Sequence, residues 1–120
     1  MKALSIRQPW AWLIVQGIKD VENRTWRTSY RGPLLIHTGK TFDMLGYHWI
    51  RDNFPHLVLP TPAEFVLGGI VGQAVLVDCV RTHTSPWYSG EQGFVLSEPL
   101  PLPFVPCQGA LGIFEIERPA

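Results

Sequence analysis

The stretch "LSIRQPWAWLIVQGIKDVENRTW", residues 4–26, changes its apolar period twice. Leu4 and Ile6 alternate with Ser5 and Arg7, the two-residue repeat of a short strand over "ALSIRQ". Trp10, Leu13, Ile14 and Gly17 then recur at helical spacing, with Pro9 at a first helical position and Gly17 as the stop. From Asp20 the alternation returns. Val21, Asn23 and Thr25 fall on one face, and Glu22, Arg24 and Trp26 on the other. Strand, brief helix, strand is therefore the expected opening. If the second strand forms, Glu22 and Arg24 share a face about 7 Å apart, and Lys19 can reach the same rim. A core has no use for three ionisable side chains at that spacing, so a polar site is expected there.

Outward from this stretch, "TSYRG" is turn chemistry and "PLLIHTG" a strand with a buried-looking Leu34-Leu35-Ile36 run. "TFDMLGYHWIRDNF" reads as a helix capped by Thr41, with Phe42, Leu45 and Trp49 at helical spacing and Gly46 as a weak point. Residues 55–67, with Pro55, Pro60 and Pro62, read as a connecting loop. "GGIVGQAVLVDCV" is the strongest strand signal, being rich in β-branched residues. "RTHTSPWYSGEQ" reads as a polar and aromatic loop. "GFVLSEPLPLPFVP" is a proline-interrupted strand suited to an edge, and Ile113, Phe114 and Ile116 close the chain in a terminal strand. Five or six short strands with two or three short helices predict an α+β fold. The expected form is a small, partly closed β-barrel, because closure covers the edges that so few strands leave exposed.

The 120 residues suit one domain spanning residues 1–120. A hydrophobic fraction of 46% with 17% charged residues excludes a disordered chain. Cys79 and Cys107 lack metal-ligand spacing, and His48, His56 and His83 are scattered, so neither a metal nor a cofactor is expected. No secretory leader pattern precedes the fold, and no apolar run approaches the roughly 18 residues of a membrane span. A reduced, cytoplasmic protein, monomeric by default, is the expectation; the Asn-Arg-Thr sequon at 23–25 then has no role. The formal net charge of zero conceals a segregation: residues 1–40 carry +5 and residues 41–120 carry −5. One electropositive region facing a phosphate or polyanion would follow, unless folding interleaves the two halves.

The combination of Q-P-W-A (Gln8 to Ala11), G-x-K-x-x-E-x-R (Gly17 to Arg24) and R-G-x-x-x-I-H (Arg31 to His37) resembles the ASCH family (activating-signal-cointegrator homology domains) of the PUA-like superfamily. "GGIVGQAVLVDCV" and "GFVLSEPLPLPFVPCQGALGIFEIE" extend the resemblance over nearly the whole chain. It implies a PUA-like barrel with a cleft beside the first helix, and RNA or a (modified) nucleotide or nucleobase as ligand. On that resemblance Gly17, Lys19, Glu22 and Arg24 carry the family's cleft element.

The residues expected to bind ligand are Gln8, Trp10, Lys19, Glu22, Arg24, Arg31, His37, Lys40 and Trp87. Lys19 and Arg24 offer a point charge and a planar fork to phosphate or a base edge. Glu22 either accepts from an exocyclic amine or neutralises Arg24. Trp10 is either a base platform or core, whereas Trp87 and Tyr88, in a polar loop, are better placed for stacking. His37 ends a strand near Lys40 and either serves phosphate and acid–base chemistry or is structural.

The main reading is binding of single-stranded RNA or a nucleotide or nucleoside. The alternative is hydrolysis of nucleic-acid components. One branch of the superfamily resembles an amidohydrolase of N4-acylcytidine that uses a Lys, a Thr nucleophile and a distant Glu. Lys19 matches the Lys, Glu22 stands where the Thr would be, and Glu91 is a weak candidate for the acid. Lys19 and Glu22 would then be the catalytic pair, with the carboxylate acting as base on water. Some relatives are also linked to metal-independent ribonuclease activity, for which Lys19, Arg24, Tyr30, His37 and Lys40 offer groups. A protein-interaction role finds support only in Pro-rich residues 99–106.

Overall fold

The structure, a computed structural model, describes residues 1–117. Its six strands are β1 (Lys2–Ser5), β2 (Val21–Arg24), β3 (Gly32–Thr38), β4 (Gly69–Val80), β5 (Gln92–Pro106) and β6 (Ile113–Glu115). Helix α1 (Trp10–Val15) lies between β1 and β2, and helix α2 (Met44–Asn53) between β3 and β4. The strands form one sheet in the order β2-β5-β4-β3-β1-β6. All neighbours are antiparallel except β1 and β3. Register shifts break the ladder between β4 and β5 at several points, and bulges of this kind bend and twist a sheet. The result is a curled half-barrel, consistent with the small PUA-like α+β fold expected.

The curl has a filled concave side. Ala11, Ile14 and Val15 of α1 pack with Leu4, Leu34, Ile36, Ala74, Leu76, Phe94 and Leu96, so the helix plugs the hollow. A methyl built on Gly72 would lie 2.6 Å from a methyl of Val15, and glycine at that point is what lets helix and sheet touch. The opposite face of the sheet carries Ala3, Leu35 and Ile70, covered by Leu102, Val105, Cys107 and Phe114. Leu13 looks away from the plug toward Ile50 of α2 and Trp87.

Several expectations are corrected. Pro9 is the N-cap of α1, after a cis Gln8–Pro9 bond, and is not its first residue. Asp43, not Thr41, caps α2, because its carboxylate accepts from the Gly46 N–H at 2.9 Å. In α2 the buried residues are Gly46, Tyr47 and Ile50, while Leu45 is 84% and Trp49 46% exposed. The helix seats on its smallest residue: a methyl on Gly46 would lie 2.7 Å from the Trp10 ring, which occupies that space. Residues 55–67 include a one-turn 3-10 helix at Pro62–Glu64. The proline-rich strand is only half an edge, since Gln92–Val95 lie between β2 and β4 and the proline half has only β4 beside it.

Candidate functional site

The end of α1 places the first charged group. Gly17 takes φ +77°, its N–H donates to the Ile14 carbonyl at 3.0 Å, and the Ile18 N–H donates to the Leu13 carbonyl at 2.9 Å. That pair of bonds is a Schellman stop, which reverses the chain within two residues and sends Lys19 back beneath the helix. The Lys19 ammonium is buried, with 4% exposure, and donates to the Val21 carbonyl and to Glu22 Oε1, the latter at 3.1 Å. It also lies 5.8 Å from the centroid of the Trp10 ring. Glu22 uses its other oxygen to accept from Arg24 Nε at 3.0 Å. Arg24 Nη2 donates in turn to the Ser5 carbonyl at 2.7 Å, joining edge strand β2 to β1 across the mouth of the curl. Pleat alternation on β2 is what brings Glu22 and Arg24 together.

These groups sit in a recess of about 770 Å³. Its aromatic lining comprises Trp10, Trp26, Trp49, Trp87 and Tyr88, and Arg7, Lys19 and Arg24 supply cations against the single carboxylate of Glu22. Trp87 stacks on Phe54, with ring centroids 4.2 Å apart, and is buried in a cluster with Leu13 and Ile50. It therefore enters the recess wall as a core residue and not as the open stacking face expected of a polar loop. Trp26 meets Phe94 edge-on at 5.0 Å. Residue 23 holds the opposite wall: Asn23 Nδ2 donates to the Trp87 carbonyl at 2.9 Å, and Asn23 Oδ1 accepts from the Ser89 N–H at 2.8 Å. The Ser85 hydroxyl adds a bond to Asp20 at 2.6 Å. Trp10 Nε1 donates to Asp43 at 2.9 Å, so the indole is fixed between the two helices. Burying an ion pair gains little net stability, because desolvation offsets the attraction. The buried Lys19–Glu22 pair is better understood as fixing positions and keeping charge at the recess floor.

Of the nine residues expected from sequence, the structure brings Trp10, Lys19, Glu22, Arg24 and Trp87 to this recess. Gln8 is buried instead as a brace, its amide donating to the Val66 carbonyl at 3.2 Å and accepting from the Trp12 N–H at 2.8 Å. Arg31 points elsewhere, with Asp78 at 3.6 Å and bonds to the Thr28 and Tyr30 carbonyls. His37 and Lys40 line a separate cleft on the other side of β1. Glu91 is exposed and does not line the recess. Sequence reading missed Arg7, Asn23, Trp26 and Trp49. Trp26 had a signal, since it shares the alternating face of Glu22 and Arg24. Among the described residues, no group of three or more His, Cys, Asp or Glu side chains is placed to hold a metal, and no helix is long and apolar enough to cross a membrane.

A curled mixed sheet plugged by a short helix, with a polar recess where the curl opens, defines the small PUA-like class of α+β folds. The ASCH domain model matches residues 4–102, and the chain belongs to the ASCH domain family. It is 61% identical over 81 residues to human (Homo sapiens) activating signal cointegrator 1 and 37% identical over 81 residues to the mouse (Mus musculus) protein. Each match covers 64% of this chain but only 14% of the relative, so the chain spans a small part of the length of those proteins. Crystal structures of two mutant forms of ZmASCH from Zymomonas mobilis match 98% of the chain and 90% and 88% of theirs. Their TM-scores are 0.56 and 0.59 at 14% identity, a likeness of fold.

Proposed function

We propose that the recess between α1, β2 and the loop before β5 binds single-stranded RNA or a nucleotide. The observation that carries this reading is the combination in one hollow of several aromatic side chains with three cations and one carboxylate. Unstacked bases are held by aromatic planes and phosphates by Arg or Lys, and a site for folded duplex would need neither a hollow nor free ring faces. Trp49 and Trp26 offer accessible ring surface, while Arg7 and Arg24 are the recess cations suited to pair with a backbone phosphate. Glu22 already accepts from both neighbouring cations, so its part is to aim them. The family's general link to RNA agrees with this chemistry.

Titration of short single-stranded RNAs and free nucleosides, followed by tryptophan quenching, tests the proposal. Saturable binding that weakens with added salt is expected, and Trp49→Ala should lose about 1–3 kcal/mol of affinity, the worth of one stacked base. No binding of either class, or binding indifferent to salt, would end it.

A second reading rests on the buried contact between Lys19 and Glu22 at the recess floor. A cation beside a carboxylate is a minimal set for activating water against an N4-acylcytidine. Release of cytidine from N4-acetylcytidine by the wild-type protein, lost in Lys19→Ala, would favour hydrolysis over simple binding.

A further inference from the structure

Ser5 belongs to both sides of the sheet. Its carbonyl serves Arg24 at the recess, whereas its hydroxyl lies with His37 on the opposite face, the face that Ala3 and Leu35 also occupy. There a second cleft of about 1050 Å³ opens between the end of β3 and the segment after β5.

His37 is buried, and its two ring nitrogens have different partners. Nε2 lies 2.9 Å from the Cys107 carbonyl, and Nδ1 lies 2.6 Å from Ser5 Oγ. A carbonyl can only accept, so Nε2 carries the hydrogen. In the neutral ring Nδ1 is then a bare acceptor, and the serine O–H must point at it. Nucleophile, base and a third group orienting the base are thus in line, with the nitrogens in the reverse of the usual serine-hydrolase order. A backbone carbonyl takes the place of the carboxylate. The N–H groups of Gln108 and Gly109, in the segment that lies against Ser5, have no hydrogen-bond partner among the described residues. The rest of the lining is largely small or apolar, with Pro106, Ala110 and the exposed Leu111, and Lys40 is the cation there.

We propose that Ser5 and His37 form a second, nucleophilic site, an acyl-transfer centre for carboxylic esters with short apolar acyl groups. Ser5 Oγ bonds to the ester carbonyl carbon while its proton passes to His37 Nδ1. Collapse of the tetrahedral adduct breaks the bond to the leaving alcohol, which takes that proton from Nδ1. Water then repeats the sequence on the acyl-serine: its proton goes to Nδ1 and on to Oγ, and the carboxylic acid departs. No cofactor or oxidant enters the balance. Gly109 sets the limit of the site. A methyl at that position would lie 2.5 Å from Ser5 Oγ and 2.6 Å from His37 Cε1, so only glycine leaves the dyad room.

The test uses the wild-type chain, so it does not depend on whether a variant folds. The protein is incubated with a fluorophosphonate and, separately, with p-nitrophenyl acetate, and modified peptides are mapped by mass spectrometry. A single adduct on Ser5 is expected. Nitrophenol release should fall about 100-fold or more in Ser5→Ala and in His37→Gln, the usual worth of a positioned base. Gly109→Ala, which puts a single methyl against the dyad, should block labelling of Ser5. A wild-type protein unmodified at Ser5, or nitrophenol release equal in wild type and a folded Ser5→Ala protein, would overturn the proposal.

Discussion

Asp43 shows how one side chain links a helix cap to the recess. Burial would raise its carboxyl pKa, but hydrogen bonds from the Trp10 indole and the Gly46 N–H, with the nearby charge of Arg7, outweigh burial and hold it below the ordinary 3.8. The folded state therefore gains stability from this ionised group above the unfolded carboxyl's pKa. That gain disappears as pH falls through the depressed folded value. Trp10→Phe removes the largest of the three counteracting influences. We expect the Asp43 carboxyl, followed by carbon NMR, to titrate higher in that variant than in wild type, and acid unfolding to begin at a higher pH. An unmoved titration would show that the indole contributes nothing to the carboxylate. Trp10 was open between platform and core when read from sequence, and its ring is in fact both a wall of the recess and the ceiling over Gly46. A sequence cannot show this, because Asp43 and Trp10 are 33 residues apart in the chain.

At the scale of elements, α1 and its stop were legible and α2 was not fully so. Trp10, Leu13, Ile14 and Gly17 gave the helix and its end because a left-handed stop has a local residue signature. The cap at Asp43 was misplaced because Thr41 and Asp43 both suit the role locally, and the choice fell to the Gln8–Phe42 bridge and the Asp43 N–H bond to the Gln8 carbonyl. Leu45 and Trp49 misled for a similar reason: two adjacent apolar stripes run along α2, and the buried one is the one whose Ile50 packs with Leu13 and Trp87 and whose Gly46 admits the Trp10 ring, contacts distant in sequence. Gly17→Ala tests whether the helix stop sets the position of Lys19. An alanine at φ +77° costs about 1–2 kcal/mol, to be read in urea unfolding. Its affinity for any nucleotide that binds the recess should also fall, since Lys19 follows the reversal directly. Lost stability with unchanged affinity would separate the two.

Across the whole molecule, the charge division between the chain's two parts is only partly kept. Lys2 reaches Glu115 at 2.8 Å and Arg31 reaches Asp78 at 3.6 Å, so these pairs interleave the halves. Arg7 stays at the recess, and four of the nine expected site residues, Trp10, Lys19, Glu22 and Arg24, were gathered there because the strand–helix–strand opening is local in sequence. Trp87 joins them from the loop before β5 through the Asn23 bond to its carbonyl. His37 and Lys40 were assigned to the same place because adjacency along the chain says nothing about which face of a curled sheet a residue occupies. Proline marks the other edge of the assembly. Pro99, Pro101 and Pro103 recur in the half of β5 that has β4 on one side only, and prolines offer no N–H to a further strand. Replacing Pro101 and Pro103 with Thr restores two donors to an exposed edge. We expect concentration-dependent association in light scattering for that variant and none of the same kind in wild type. The four residues of β2 perform divided labour in alternate positions: Glu22 and Arg24 set the recess floor, and Asn23 suspends its far wall. Whoever wishes to admit a bulkier guest thus has a separate handle, for the amide at position 23 works as a latch whose loosening would leave the charges beneath untouched.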